Sequence, residues 1–262
     1  MIIRHDINPE LYLIDPAQFP AVVSVDSFSE EVFVAYDNID RLLKPSLVPE
    51  IGPEPEFRDR CDGMGTLILP TWVLTAAQVA IALSAQKEIT FANTAYAIQK
   101  VVVHPHFHTC SDDGGISGVK HDIALIQLKQ PVRDVSPLPL YPQAEELQKI
   151  VTFVGQGDFG TGLIGPDSVD AKMRIATNRI EQVDDQWLIF RFDPPPAATA
   201  LEGISGPGDS GGPALIETAS GWAIAGISAG QDSRGLGEGY YGVWEYYTRV
   251  SQYLDWIESV TQ

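Results

Sequence analysis

The residues best suited to covalent chemistry lie in one late hexapeptide, Gly208-Asp209-Ser210-Gly211-Gly212-Pro213. A serine hydroxyl among glycines is a small nucleophile with accessible backbone, because glycine tolerates positive φ and lets N–H groups approach a ligand closely. Two N–H groups aimed at one oxygen stabilise an oxyanion, often the largest electrostatic contribution to acyl transfer. The candidate donors are the N–H groups of Gly208 and Ser210. A serine needs a base to take its proton, and the base needs an acid to orient it. As a generic G-x-S-x-G match the stretch is better read as a glycine-rich turn between strands, but the full hexapeptide is far more specific.

Two earlier stretches bear on base and acid. Asp122 opens the run Asp122-Ile123-Ala124-Leu125-Ile126-Gln127-Leu128, and Thr71-Trp72-Val73-Leu74-Thr75-Ala76-Ala77-Gln78 ends in a glutamine. A carboxamide offers one acceptor oxygen and two N–H donors and is no base at neutral pH. An imidazole titrates near neutrality and can both take and return a proton. The histidines are His5, His104, His106, His108 and His121. His121 adjoins Asp122, and successive strand side chains face opposite ways, so it is expected to point away from a site built on Asp122. His104, His106, His108 and Cys110 alternate and in an extended strand would share a face, as metal ligands do. Pro105 and the polar residues after Cys110 favour a loop instead, and neither a metal nor a cofactor is expected.

The elements that must position these groups are short. Apolar runs bounded by turn residues read as strands at Ala21–Val25, Val32–Tyr36, Thr66–Leu69, Trp72–Thr75, Val101–Val103 and Asp122–Leu128. A second set follows at Ile150–Val154, Met173–Thr177, Trp187–Phe192, Pro213–Ile216 and Trp222–Ser228. Ala76–Ala80 reads as a short helical turn. Residues 37–60 are rich in proline and charge and read as a surface excursion. The prolines from Pro131 to Pro142 suit a connection between two halves. Val250, Tyr253, Leu254, Ile257 and Val260 share one helical face, which predicts a terminal helix with Ser251 as its N-cap.

The net charge of −18 lacks the basic face that a nucleic-acid binder needs. No apolar run is long enough for a transmembrane helix. The chain opens without a basic, then apolar, signal-peptide pattern. Two cysteines, Cys61 and Cys110, allow either one bridge or two thiols.

Gln78, Asp122 and Ser210 stand 44 and 88 residues apart in the order base position, acid, serine. The hexapeptide, His121–Leu125 and Thr71–Gln78 together resemble the trypsin/chymotrypsin-like serine proteases (peptidase family S1). Cys61–Ile68, Val103-His104-Pro105, Gly226–Gly230 and Tyr246–Val250 with Trp256-Ile257 extend the resemblance across roughly residues 20–260. It implies an all-β fold of two packed six-stranded Greek-key barrels and a C-terminal helix. As one domain spanning 1–262, the barrels are expected at about 15–135 and 145–248, and the helix at 250–260.

The resemblance also assigns roles. Ser210 is the nucleophile, Asp122 the acid, and Gln78 stands where the family has its histidine. Loss of that base costs about a million-fold in kcat. The expected chain is therefore a serine endopeptidase by descent, inactive or severely impaired by natural divergence or by engineering. The alternative is a non-catalytic homologue that binds peptides or proteins in the former cleft. Ile204 is expected at the base of the specificity pocket, with Ser205, Ser228, Ala229 and Gly230 on its walls and Glu245 nearby. An apolar base predicts small or apolar bound side chains, not trypsin-like basic ones. Asp209 is expected to pair with a freed N-terminal ammonium at Ile2, the charge lying one residue too far if Met1 is retained. The resemblance further implies a secreted or periplasmic monomer whose partner is a peptide or protein, with no nucleic acid and no membrane span.

Overall fold

The computed structural model describes residues 1–25, 63–83, 88–109, 116 and 119–262. The strand expected at Val32–Tyr36, the excursion at 37–60, both cysteines and most of the 109–119 loop lie outside the described residues.

The first half forms a six-stranded sheet in the order Val22–Ser24, Met64–Leu69, Trp72–Thr75, Ala124–Leu128, Thr94–Val103, Glu88–Phe91. Met64, Leu67, Val73, Leu74, Phe91 and Leu125 of this sheet are fully buried. Burying one such side chain contributes about 1.5–3 kcal/mol. The second half is a closed barrel in the order Ile150–Gly155, Arg174–Val183, Trp187–Arg191, Trp244–Arg249, Gly221–Asp232, Pro213–Thr218. Phe153, Phe190 and Tyr247 fill it, with Phe153 stacked on Tyr247 at a centroid distance of 4.7 Å. The all-β double-barrel fold is thus the one expected.

A further small sheet joins Gly165–Ser168, Phe159–Thr161, Ile2–Ile3 and Gly203–Ile204. The chain start is a middle strand of this sheet, parallel to Phe159–Thr161 and antiparallel to Gly203–Ile204. Several strands run longer than the apolar pattern suggested: Val101–Val103 is the end of Thr94–Val103, and Met173–Thr177 continues to Val183.

The terminal segment differs from expectation. Val250–Gln252 is a 3-10 turn, the α-helix covers Leu254–Thr261, and Tyr253 occupies its N-cap. Ser251 does not cap the helix, because its hydroxyl donates to Glu146 Oε1 at 2.7 Å. Glu146 also receives Arg249 Nε and Nη2 at 3.1 and 2.8 Å. The break lets Val250, Tyr253 and Ile257 pack on the core of the first sheet. Among the described residues no helix is long and apolar enough to cross a membrane.

Candidate active site at the seam between the barrels

Strand register brings Gln78 to Asp122. Trp72–Thr75 lies antiparallel to Ala124–Leu128, with Thr75 opposite Ala124. A helix, Ala77–Ala82, starts two residues after the first strand ends, and Asp122 lies two residues before the second begins. Gln78 therefore sits on the helix's first turn beside the Asp122 carboxyl. Its backbone N–H donates to Asp122 Oδ1 at 3.0 Å, and its Nε2 donates to Oδ2 at 2.8 Å. The same Nε2 donates to the carbonyl oxygen of Ala229 at 2.6 Å. Both amide hydrogens are thereby committed, one to the acid and one to the opposite barrel. Asp122 is fully buried, and its carboxyl is pushed up to about 6 by that burial, against the pull of the Gln78 and Ala77 donors. Its own carbonyl accepts from Thr248 Oγ1 at 2.8 Å, a second tie between the barrels.

The nucleophile loop is pinned from both sides. Met64 N–H donates to the Ser210 carbonyl at 2.7 Å, Gly211 N–H to Ser228 O at 2.8 Å, and Ser228 N–H to Gly212 O at 2.9 Å. Gly208 and Gly211 have φ of 88° and 82°, the left-handed region that glycine alone adopts freely. Neither the Gly208 nor the Ser210 N–H donates to any group among the described residues. Ser210 itself is half-buried.

Asp209 is held by a complete set of donors. Oδ1 accepts from Gly157 N–H at 2.7 Å, and Oδ2 from Gly206 N–H at 2.9 Å. The ammonium of Met1 lies 2.6 Å from Oδ2 and also donates to the Asp158 carbonyl. A Cβ on Gly155 would sit 2.1 Å from Asp209 Oδ1, so the socket exists only because that side chain is absent. Here the structure departs from the sequence reading. The ammonium at Asp209 is that of Met1, and Ile2 is one residue inside, pairing with Gly160 and Ile204. The small sheet sets that register, and it leaves the charged end within reach, not one residue beyond.

The expected pocket also differs. Ile204 is fully buried in a cluster with Ile2, Phe192 and Val243, so its side chain belongs to the core. Ser205 Oγ donates to Glu245, and Ser205 N–H donates to the other carboxyl oxygen at 3.1 Å. Ser228 has both backbone groups in the nucleophile loop, and the Ala229 carbonyl serves Gln78. The side chain of Ile116 lies 3.2 Å from where a Cβ on Gly230 would be.

None of the histidines bonds Asp122 or Ser210. His121 has φ of 52°, and its ring stacks on His104 at a centroid distance of 4.8 Å. His106 packs beside both, and His121 Nδ1 lies 3.1 Å from the Tyr253 hydroxyl. The expected opposite facing of His121 arises from a backbone turn, not from strand alternation. Among the described residues no His, Cys, Asp and Glu group is arranged to hold a metal.

Sequence reasoning missed Gln231, whose Nε2 donates to Glu245 Oε2 at 3.1 Å and to the Ser205 carbonyl at 2.8 Å, and it missed Gly155. Gln231 sits among polar residues with no motif. Gly155 is set by a carboxylate more than fifty residues away.

A double β-barrel whose seam carries a serine on a glycine loop and a buried aspartate defines a serine-protease-like protein. Residues 58–257 match the family model described as Trypsin, and the chain belongs to that family. Among curated proteins it is similar to a tryptase of Mus musculus, 31% identical over 221 residues, covering 74% of this chain and 76% of the tryptase.

Proposed function

We propose that this chain is a serine-endopeptidase homologue that keeps the nucleophile loop and the acid but lacks proton transfer between them. The single observation behind this reading is the Gln78 carboxamide, whose Nε2 donates to Asp122 and to Ala229. For Ser210 Oγ to attack a peptide carbonyl its proton must move to a base, and later return to the leaving amine. The only capacity left on Gln78 is its carbonyl oxygen, which can accept a hydrogen bond but cannot hold a proton at neutral pH. Oxyanion stabilisation by Gly208 and Ser210 N–H would remain, which supports residual turnover far below that of an intact triad.

A second reading follows from the same bond. Gln78 ties the first barrel to the Ala229 carbonyl across the seam, which suits a cleft kept as a binding surface for peptides or proteins. Family membership supports an extracellular setting for either reading.

The test pairs this chain with Gln78→His, using an ester substrate and a serine-directed fluorophosphonate. The expected outcome is negligible labelling of the present chain and a gain of at least about a thousand-fold in the variant, within the roughly million-fold range of the missing base. Labelling of the present chain at an ordinary protease rate would sink the impaired-enzyme reading. If neither protein reacts, the cleft itself has diverged and the binding reading gains support.

A further inference from the structure

The strand end at Val103 and the turn at His121 bring three imidazoles together against the C-terminal helix. The His104 ring lies nearly parallel to that of His121 at a centroid distance of 4.8 Å, and His106 stands 5.7 and 5.9 Å from the two. His104 also meets Trp256 and Tyr253 at 4.9 and 5.4 Å. The Tyr253 hydroxyl lies 3.1 Å from His121 Nδ1, so the start of the helix rests on two of the three rings. Backbone bonds fix those rings to one another. His104 N–H donates to the Ile123 carbonyl at 3.1 Å, and Ile123 N–H to the His121 carbonyl at 2.8 Å.

One bond sets the protonation state. The His106 backbone N–H donates to His104 Nδ1 at 3.3 Å, so that lone pair is occupied and the ring's own hydrogen sits on Nε2. A second proton on His104 must take Nδ1, where the His106 N–H already points. It also sets a charge on a buried ring beside two other imidazoles. The groups acting on the two inner rings offer no compensation, because His106, His108 and Lys120 are all basic. The acids Asp122 and Asp184 act on the Tyr253 hydroxyl, and the helix acids Asp255 and Glu258 are exposed. Among the described residues no carboxylate forms an ion pair with any of the three imidazoles.

We propose that His104, His106 and His121 form an acid-operated latch on the C-terminal helix. Neutral, the rings clamp Leu254–Thr261 to the first sheet; protonated, they release it and uncover the apolar face that carries Tyr253 and Ile257. The latch is independent of whether the cleft cuts or binds peptides. Burial and the two neighbouring imidazoles hold His104 down at about 4 against an ordinary 6.5, and burial with the surrounding basic groups lowers His121 in the same direction. A histidine lowered in the closed form contributes its full stability above 6.5 and loses it as pH falls towards 4. For His104 alone the open form gains about 30-fold on the closed form between pH 7.5 and pH 5.

Amide hydrogen exchange of the full chain at pH 7.5 and pH 5, corrected for the intrinsic pH dependence of exchange, reads this opening. Protection of Leu254–Thr261 is expected to fall at least about ten-fold at pH 5, while Ile150–Gly155 and Arg174–Val183 of the second barrel keep theirs. His104→Gln is expected to remove most of that step. His121→Asn is made in parallel so that the result does not hang on the folding of a variant at the buried ring. Asparagine tolerates the left-handed backbone at 121, and loss of the stacked imidazole should make the step smaller. A smaller fall in the unchanged protein, an equal fall in the second barrel, or a step of full size in either folded variant would overturn the latch.

Discussion

Two buried aspartates, Asp209 next to Ser210 in the chain and Asp122 bonded to Gln78, are served very differently. Asp209 faces two backbone N–H groups and an ammonium. Among the described residues Asp122 faces only neutral donors, all on or beside Gln78. An ionised carboxylate taken out of water needs a counter-charge or several hydrogen bonds to hold its charge. Asp209 has both, whereas Asp122 is pushed up to about 6. The difference teaches that shaping the nucleophile loop and moving the serine's proton are separable tasks in this fold. The ammonium socket performs the first with no help from the residue at position 78.

The sharpest way to break this comparison is Asp209→Asn. It leaves the Met1 ammonium buried without a counter-charge, and removing one partner of a buried pair costs about 3–5 kcal/mol. Urea unfolding at pH 7 should show that loss. A loss under about 1 kcal/mol would mean that the ammonium does not organise the loop. Lengthening the chain by residues ahead of Met1 tests the same socket by displacing the ammonium, and it should destabilise in the same direction.

A smaller effect is expected at the other aspartate. Gln78→Ala removes the donors to Asp122 Oδ2 and to the Ala229 carbonyl, leaving a buried oxygen unsatisfied at a cost of about 1–3 kcal/mol. The backbone bond from residue 78 to Oδ1 survives the substitution, so part of the acid's support remains. Unfolding of the two single variants under the same conditions ranks the two sockets directly. A Gln78→Ala loss equal to or above that of Asp209→Asn would overturn the ranking.

What could be read from the chain follows from how local each feature is. Gln78, Asp122 and Ser210 lie in runs whose strand and turn character is plain, and antiparallel pairing of two such runs is enough to bring Gln78 to Asp122. The Gln231–Glu245 pair was not legible. A register shift between Ser228 and Gly230 decides which residue opposes Glu245, and a one-residue shift flips every side chain that follows. Ile204 was misjudged for a related reason. Its place depends on the small sheet formed by Ile2–Ile3, a two-residue strand too short for any pattern to reveal. The terminal helix face was visible, but not the pull of Glu146 on Ser251, which breaks the helix start.

The subtlest expectation concerns pH. His104 packs with His106, His121, Tyr253 and Trp256, and burial together with the other two imidazoles brings it down to about 4, from a reference of 6.5. Between those values the unfolded chain holds a proton there that the folded chain does not, so this group destabilises the fold as pH falls from 6.5 towards 4. Asp122 acts the other way. Its carboxyl stands at about 6 against a reference of 3.8, so the folded chain holds the extra proton, and stability is lost as pH rises from 3.8 to 6. Over the shared window one proton is gained and one is lost, and the two contributions nearly cancel in the unchanged protein. Single variants separate them. Relative to the unchanged protein, His104→Gln should gain stability as pH falls from 6.5 to 4, and Asp122→Asn should gain as pH rises from 3.8 to 6. Denaturant unfolding of all three proteins across that range gives the two slopes. Slopes of the same sign would mean that burial does not hold a proton on Asp122, and the contrast between a carboxyl served by neutral donors and one set beside an ammonium would be gone.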